Sequence, residues 1–129
     1  MRLLVLLFAG LAVQFAFITP IFEAPDEPYH FTFAHQIARR WQLPNQRTTE
    51  GLAKQEASQP PLFYAIAAVL INPMDRTGLG ALREPNPHAN IGAPDRLINR
   101  NYVVQHEPYP IDLTSPRNAV YAVRLLNIC

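Results

Sequence analysis

An uninterrupted apolar run at the amino terminus constrains this chain more than any other feature. From Leu3 to Phe22 almost every side chain is Leu, Val, Ala, Phe or Ile, and none is charged. In a helix this run would extend roughly 30 Å, the thickness of the hydrocarbon core of a bilayer. We therefore expect a transmembrane anchor over residues 1–22. A cleaved signal peptide is the alternative, but its apolar core is typically only about 7 to 15 residues long.

Charge and composition narrow the functional classes. The formal net charge of +1 comes from interspersed acidic and basic residues, without the basic block of a nucleic-acid binder, so no nucleic-acid partner is expected. A single cysteine, Cys129, excludes an internal disulfide and any site with several cysteine ligands. Arg2 favours a cytoplasmic amino terminus, although Arg39 and Arg40 beyond the apolar run weaken this charge-based argument.

The segment after the apolar run predicts an amphipathic helix near residues 26–43. Asp26 is a good N-cap residue, and Glu27 and Pro28 suit a first helical turn. Apolar residues recur at every fourth position along one face: Tyr29, Phe33, Ile37 and Trp41. Such an aromatic face suits the membrane surface beside the anchor and a protein core equally well.

A second short helix is predicted near residues 60–72, in the sequence QPPLFYAIAAVLINP. Proline is tolerated in a first turn, and Asn72-Pro73 marks the end of the helix. At roughly 18 Å this helix is too short to cross a bilayer. Residues 74–116 contain many prolines and no periodicity, which predicts an irregular loop. Residues 23–115 thus form one long loop region with two juxtamembrane helices.

The last segment, residues 116–129, has the pattern of the start of another spanning helix. Ser115-Pro116 has the chemistry of a cap and a first turn, and the sequence VYAVRLLNIC ends without a cap or a polar tail. We therefore expect an all-α membrane protein with one spanning helix and the start of a second one, truncated after its first turns.

Titratable side chains cluster where the apolar run ends. In a helix, Asp26 and His30 are four residues apart and Glu27 and His30 are three apart, so the imidazole could hydrogen-bond to either carboxylate. A carboxylate at this place could act as a general base on a hydroxyl acceptor. The alternative is structural: Asp26 caps the helix, Glu27 complements the helix dipole, and His30 lies on the surface.

The histidines and the acidic pair are the candidate metal ligands. His30 and His35 are five residues apart, which separates them around a helix, so the two are not expected to form a zinc site. Asp26 or Glu27 could help to hold a divalent cation beside a phosphate, because magnesium and manganese prefer oxygen ligands. The sequence contains no nucleophile elbow, P-loop or dinucleotide-binding fingerprint, and no other cofactor is indicated.

The motifs of these segments and their order along the chain resemble the amino terminus of GT-C membrane glycosyltransferases. Within that superfamily, they resemble the group that contains the protein O-mannosyltransferases and the aminoarabinose transferases. The resemblance rests on a spanning helix, then PDEPYHF, then QPPLFY, then a helix with Arg-Leu, and on the stretch NPHANIG from Asn86. It covers essentially the whole chain but only the front part of a family member. It implies a truncated GT-C fold in a bacterial plasma membrane, with a cytoplasmic amino terminus and an external first loop.

The resemblance implies catalytic roles in the PDEPYH motif. Asp26 matches the aspartate of the family's first external loop, taken as the base that engages the acceptor hydroxyl or as the group that orients the acceptor. Glu27 and His30 match neighbouring positions, so Asp26 and Glu27 are the implied catalytic residues and His30 an implied binding residue. The implied reaction transfers a sugar from a polyprenyl-phosphate donor to a glycan, lipid or protein acceptor. Further charges for the leaving phosphate would lie beyond Cys129.

In the QPPLFY segment the resemblance implies contacts with donor or acceptor. Gln59, Pro60 and Pro61 match the segment beside the polyprenyl-phosphate donor, and the aromatic Tyr64 follows them. Several relatives carry Lys or His at the position of Gln59. Neutralisation of the phosphate by this uncharged side chain is therefore not implied.

Three functional hypotheses follow from the sequence. The first is the truncated glycosyltransferase. The second is a single-pass anchored or secreted small binding protein without catalysis, and the third is a non-catalytic subunit of a membrane complex. Further apolar spans in the reading frame after Cys129 would support the first hypothesis.

Overall fold

The computed structural model describes residues 1–24, 26–89, 101–105 and 115–128. Its helices are α1 (Arg2–Ile18), α2 (Glu27–Arg40), α3 (Leu62–Ile71) and α4 (Arg117–Leu126), with short 3-10 helices at Leu52–Lys54 and Ala81–Arg83. These residues contain no β-strand, and extended backbone pairs only in an isolated bridge between Pro85 and Val103. The predicted all-α class is confirmed.

Helix α1 is apolar on all sides, and proline limits its length. Pro20 disfavours a helical conformation in the residue before it, so Thr19 is already extended (φ −67°, ψ 122°). Large apolar side chains are exposed along most of the helix: Leu3, Leu4, Val5, Leu6, Leu7, Phe8, Leu11, Val13, Phe15, Phe17 and Ile18. None of the helices in the described part of the chain is both long enough and apolar enough to cross a membrane.

The predicted anchor, residues 1–22, and helix α1 differ at their carboxyl ends. Helix α1 stops at Ile18, whereas Ile21 and Phe22 are 3% and 1% exposed in a protein core. Phe22 has a left-handed backbone conformation (φ 63°), and its ring packs edge-on against Phe31 with 5.7 Å between centroids. The last apolar residues of the run thus pack on α2 instead of extending α1.

Helix α2 packs its apolar face against α3. Its buried residues follow helical spacing: Phe31, Phe33, Ala34, Ile37 and Ala38. Phe33 stacks on Tyr64 of α3, with 4.1 Å between the ring centroids. Phe33 and Ile37 of the predicted stripe are buried, whereas Trp41 ends the helix and is 62% exposed. Two of the four residues of the stripe therefore belong to a protein core, one of the two interpretations that the sequence left open, and Tyr29 is partly buried.

Helix α3 has two apolar sides with different surroundings. It begins after Pro61 and ends before Pro73, as the properties of proline predict. Ala67 and Ala68 are completely buried, and their small side chains allow α2 to approach closely. The opposite side is apolar but exposed: Leu62, Ile66, Val69 and Leu70.

The predicted irregular loop, residues 74–116, has little regular structure where it is described. Glu23 binds this loop at residues 102 and 103. Its carboxylate accepts hydrogen bonds from the backbone N–H groups of Tyr102 (2.9 Å) and Val103 (3.0 Å). Residues 90–92 of the NPHANIG stretch, and Cys129, lie outside the described residues.

Helix α4 begins directly after Ser115-Pro116. The hydroxyl oxygen of Ser115 accepts a hydrogen bond from the backbone N–H of Arg117 at 3.3 Å, which supports the first turn. The helix packs on α3 and α1, and the rings of Tyr121 and Phe17 lie 5.1 Å apart. All four helices therefore approach one another near the carboxyl end of α1.

Candidate functional site

A cavity of about 660 Å³ lies between α1, α2, α3 and α4. Its wall along α1 and α4 is apolar and includes Phe8, Ala12, Phe15, Ala16, Val120, Val123 and Ile128. Its charged and amide-bearing residues come from α2, from the turn before α3 and from the end of α4: Glu27, His30, Gln59, Arg124 and Asn127. The cavity therefore combines an apolar wall with groups that can bind a polar head group.

Most of the residues singled out in the sequence meet at this cavity. Its lining includes Glu27, His30, Gln59, Pro60 and Tyr64. Asp26 and Pro61 are not lining residues, although each directly adjoins one that is. His30 and Tyr64 are 34 residues apart in the sequence, yet their side chains are in contact. The fold thus brings the PDEPYH and QPPLFY segments to one site.

Glu27 forms an ion pair with Arg124. Its Oε1 accepts a hydrogen bond from Nε of Arg124, and its Oε2 accepts one from Nη2 at 2.8 Å. Oε2 also accepts the backbone N–H of Phe22 at 2.7 Å. The Glu27 and Arg124 side chains are only 12% and 10% exposed. A largely buried bidentate pair of this kind fixes Glu27 at the cavity wall.

Arg124 also connects α4 to the end of α1. Nη1 donates to the carbonyl oxygens of Ala16 and Thr19, both at 2.6 Å, and Nη2 donates to that of Pro20 at 2.9 Å. Carbonyl groups at the carboxyl end of a helix lack partners within the helix, so the guanidinium satisfies them. With the two bonds to Glu27, all five N–H donors of the side chain are used.

Asp26 occupies the N-cap position of α2, but the predicted cap through its side chain is wrong. Its backbone is left-handed (φ 62°, ψ −7°), and its carboxylate makes no cap hydrogen bond. The side chain is exposed and forms no hydrogen bond or ion pair with any residue that the structure describes. Non-glycine residues in this conformation are uncommon and often occur at functional sites. The carboxylate is therefore accessible to solvent or substrate.

His30 contacts a different segment from the one predicted. Its Nδ1 lies 2.7 Å from the hydroxyl oxygen of Tyr64 and 3.8 Å from a carboxylate oxygen of Glu56. The rings of His30 and Tyr64 are nearly parallel, at 12°, with centroids 5.9 Å apart. Glu56 is only 6% exposed, and burial, followed by the charge of Glu56, raises the pKa of Tyr64. These three side chains form one polar cluster beside the cavity.

Gln59 and Pro60 reach the cavity from the turn before α3. The backbone N–H of Gln59 donates to the carbonyl oxygen of Glu56 at 2.9 Å, so the turn that presents Gln59 also carries Glu56. Gln59, Pro60 and Pro61 are exposed at this edge. Gln59 contributes hydrogen-bonding groups to the cavity but no charge.

A separate polar cleft of about 430 Å³ on α2 includes His35 and Arg39 in its lining. Burial is the main cause that lowers the pKa of His35 to about 4, followed by the positive charges of Arg83, Arg76 and Arg39. Both effects disfavour a charged imidazole. His35 therefore remains neutral in the folded chain near neutral pH.

Acid is expected to destabilise the fold through His35. Its pKa is about 4 in the folded chain and about 6.5 in an unfolded one, so the unfolded state binds more protons between these values. The contribution of His35 to the free energy of unfolding should be fully present above pH 6.5 and should be lost as the pH falls towards 4. The expected decrease is about 1 to 2 kcal/mol, because solvent screens this half-exposed ring.

Denaturant titrations at pH 7 and pH 4.5 measure this effect, with His35→Gln as the comparison. The variant cannot take up the proton, so its free energy of unfolding should decrease less than that of the natural chain. An equal decrease in both proteins would show that His35 does not contribute to the acid sensitivity.

Possible metal ligands are sparse at the site. Residues 1–24, 26–89, 101–105 and 115–128 contain no group of three or more His, Cys, Asp or Glu side chains that could hold a metal ion. Glu27 already accepts hydrogen bonds on both carboxylate oxygens. Of the two acids considered for a divalent cation, Asp26 is the one whose carboxylate has no described partner.

Sequence reasoning missed two charged residues at the site, Arg124 and Glu56. Arg124 does carry a signal, because it is the only charged residue in VYAVRLLNIC, and a charge in an apolar helix is expected to be paired. Glu56 lies in a polar segment without periodicity, where nothing distinguishes it from an exposed glutamate. Its position follows from the packing of the turn before α3.

Comparison with known proteins identified no relative of this chain. No family model, curated protein or solved structure matches the chain. The case for a function therefore rests on the cavity and its residues.

Proposed function

We propose that this chain is the amino-terminal part of an integral membrane glycosyltransferase that transfers a sugar from a polyprenyl-phosphate donor to an acceptor outside the cytoplasm. The observation that supports this most directly is the cavity, because it joins an apolar wall to residues of the PDEPYH and QPPLFY segments. The acceptor would be a hydroxyl group of a glycan, lipid or protein. The proposed location is a bacterial plasma membrane.

The cavity suits a ligand with an isoprenoid chain and an anionic head group. Phe8, Ala12 and Phe15 of α1 and Val123 of α4 offer apolar surface to the isoprenoid chain. The volume of about 660 Å³ lies within the range of roughly 300 to 1,000 Å³ that is usual for small-molecule sites. We place the phosphate and sugar at the polar part of the lining, near His30.

Lipid around α1 is part of the proposal. The exposed apolar surface of α1 is continuous, and such surfaces usually mark a membrane or protein contact. Each large apolar side chain that is removed from water contributes about 1.5 to 3 kcal/mol. With Arg2 on the cytoplasmic side, the loop after α1 would lie outside and Asp26 would stand close to the membrane surface.

Asp26 is the proposed general base. The acceptor oxygen attacks the anomeric carbon of the sugar, the bond from that carbon to the phosphate oxygen breaks, and polyprenyl phosphate leaves with the electron pair. The acceptor proton passes to Asp26, whose carboxylate has no partner among the described residues. Glu27 then positions the motif, because its ion pair with Arg124 holds the start of α2 against α1 and α4.

A bulky side chain in the cavity should block sugar transfer. Ala12→Trp would place an indole at the cavity wall, where it competes with the isoprenoid chain. Membranes that contain the variant in the full-length protein should transfer a labelled sugar about 10- to 100-fold more slowly. Gly10→Trp is the matched control, because Gly10 is exposed on the same helix and a Cβ atom there would meet nothing within 4 Å.

The outcomes of this assay separate the hypotheses. Equal transfer by Ala12→Trp and Gly10→Trp would show that the donor does not occupy the cavity. Binding of polyprenyl phosphate without transfer by the natural full-length protein would instead favour the anchored binding protein without catalysis.

A further inference from the structure

The charged lining of the cavity offers one group for an anion. Among the described lining residues, the titratable ones are Glu27, His30, Tyr64 and Arg124, and burial raises the pKa of Tyr64, which favours its neutral form. Glu27 repels an anion, and its charge is balanced by Arg124. Arg124 uses all five of its N–H donors on Glu27 and on backbone carbonyls. His30 is thus the lining residue that can offer a positive charge and a spare donor to a ligand.

The contacts of His30 leave one edge of the ring open. Nδ1 faces the Tyr64 hydroxyl at 2.7 Å and Glu56 at 3.8 Å. Nε2, at the other edge, has no hydrogen-bond partner within the described chain. The side chain is 41% exposed and lines the cavity. In the protonated ring Nδ1–H donates to Tyr64, and Nε2–H remains available to a ligand.

Glu56 places a buried carboxylate beside the His30 ring. Of the described acidic residues it is the buried one, at 6% exposed. A buried carboxylate costs free energy unless a positive or donor group compensates it. Nδ1 of His30 lies 3.8 Å from this carboxylate. The Glu56 carboxylate and the Tyr64 hydroxyl both lie on the Nδ1 side of the ring, so this edge of the ring faces the protein.

We propose that His30, held by Glu56 and Tyr64, binds the phosphate of the lipid-linked donor through Nε2–H. This inference rests on the proposed function and specifies which residue of that site receives the anionic group. His30 touches the ligand, whereas Glu56 is a positioning residue that acts through the ring. An ion pair between imidazolium and phosphate also stabilises the negative charge that develops on the leaving group.

The test uses the chain in detergent micelles with farnesyl phosphate and farnesol as probes, which share an isoprenoid chain and differ in the phosphate. His30→Asn should weaken the binding of farnesyl phosphate about 10- to 100-fold, because a charge-assisted hydrogen bond is lost. Glu56→Gln should weaken it about 3- to 10-fold. Farnesol should bind the natural chain and both variants equally. His88→Asn, at an exposed loop position, is the control and should bind both probes normally.

Nitrogen NMR of a ¹⁵N-histidine-labelled chain gives a readout that a purely structural role of Glu56 would not change. Addition of farnesyl phosphate should shift the Nε2 resonance of His30 to that of a protonated, hydrogen-bonded nitrogen. In Glu56→Gln this shift should be smaller at the same probe occupancy, and in Tyr64→Phe, which retains the ring stacking, it should be intermediate. Circular dichroism verifies that each variant is folded.

The two proposals fail in different ways. Farnesyl phosphate could bind the natural chain with an affinity that neither His30→Asn nor Glu56→Gln reduces. This result would refute the role of His30 but not the proposal that the cavity binds the donor. If the Nε2 resonance does not respond to bound farnesyl phosphate, the role of His30 is refuted as well. If neither farnesyl phosphate nor farnesol binds, the cavity is not a polyprenyl site and both proposals fall.

Discussion

Replacing Arg124 by methionine is expected to lower the free energy of unfolding by about 3 to 5 kcal/mol. The substitution leaves Glu27 as a largely buried charge without its cation. It also removes the donors to the carbonyl oxygens of Ala16, Thr19 and Pro20. Unsatisfied buried polar groups cost more than the lost bonds themselves contribute. Denaturant titration in micelles, followed by circular dichroism, measures the loss.

Two comparisons make this prediction specific. Arg40→Met changes an exposed arginine of α2 and should alter the free energy of unfolding by less than about 0.5 kcal/mol. The double variant Glu27→Leu with Arg124→Met should be more stable than Arg124→Met alone, because no uncompensated charge remains. A single Arg124→Met variant as stable as Arg40→Met would show that the ion pair is not a determinant of stability.

Replacing Asp26 by asparagine is expected to reduce sugar transfer by the full-length protein about 10²- to 10⁴-fold, the usual contribution of a general base. Asparagine adopts a left-handed backbone as readily as aspartate, so the start of α2 should keep its conformation. The carboxylate has no hydrogen bond to any described residue, so stability should change by less than about 0.5 kcal/mol. Transfer of a labelled sugar in membranes measures the activity.

The control is Asp75→Asn, at an exposed aspartate of the loop after α3 that lies outside the cavity lining. Its carboxylate accepts hydrogen bonds from the nearby Thr77, so transfer should stay normal. If Asp26→Asn also transferred sugar at the natural rate, Asp26 would be an N-cap residue without a catalytic role.

Helix ends near proline could be predicted because their causes are local. Helix α3 lies between Pro61 and Pro73, and α4 starts after Ser115-Pro116, since proline restricts its own backbone and that of the preceding residue. The carboxyl end of α1 follows the same rule at Pro20, although hydropathy alone extends the apolar run to Phe22. Hydropathy does not distinguish a residue in lipid from one in a protein core, and Phe22 belongs to the core.

The site itself depends on contacts that no local pattern contains. Helical spacing favours His30 as the partner of Glu27, three residues away, whereas the fold pairs Glu27 with Arg124, 97 residues along the chain. The capping role of Asp26 also depends on its backbone. An N-cap residue usually has an extended conformation, and the left-handed conformation of Asp26 leaves its side chain without the cap hydrogen bond. The residue type of Asp26 does not indicate whether its backbone is extended or left-handed.

The bonds of Arg124 also determine when the amino-terminal helix can reach its final state during synthesis. They join residues that are 108 positions apart for Ala16 and 105 apart for Thr19. At about 5 to 20 residues per second, the ribosome needs roughly 5 to 20 s to produce the guanidinium after the carbonyls. Until then water must satisfy these carbonyl groups. Helix α1 therefore leaves the ribosome well before α4, and its carboxyl end is fixed only after Arg124 has been made.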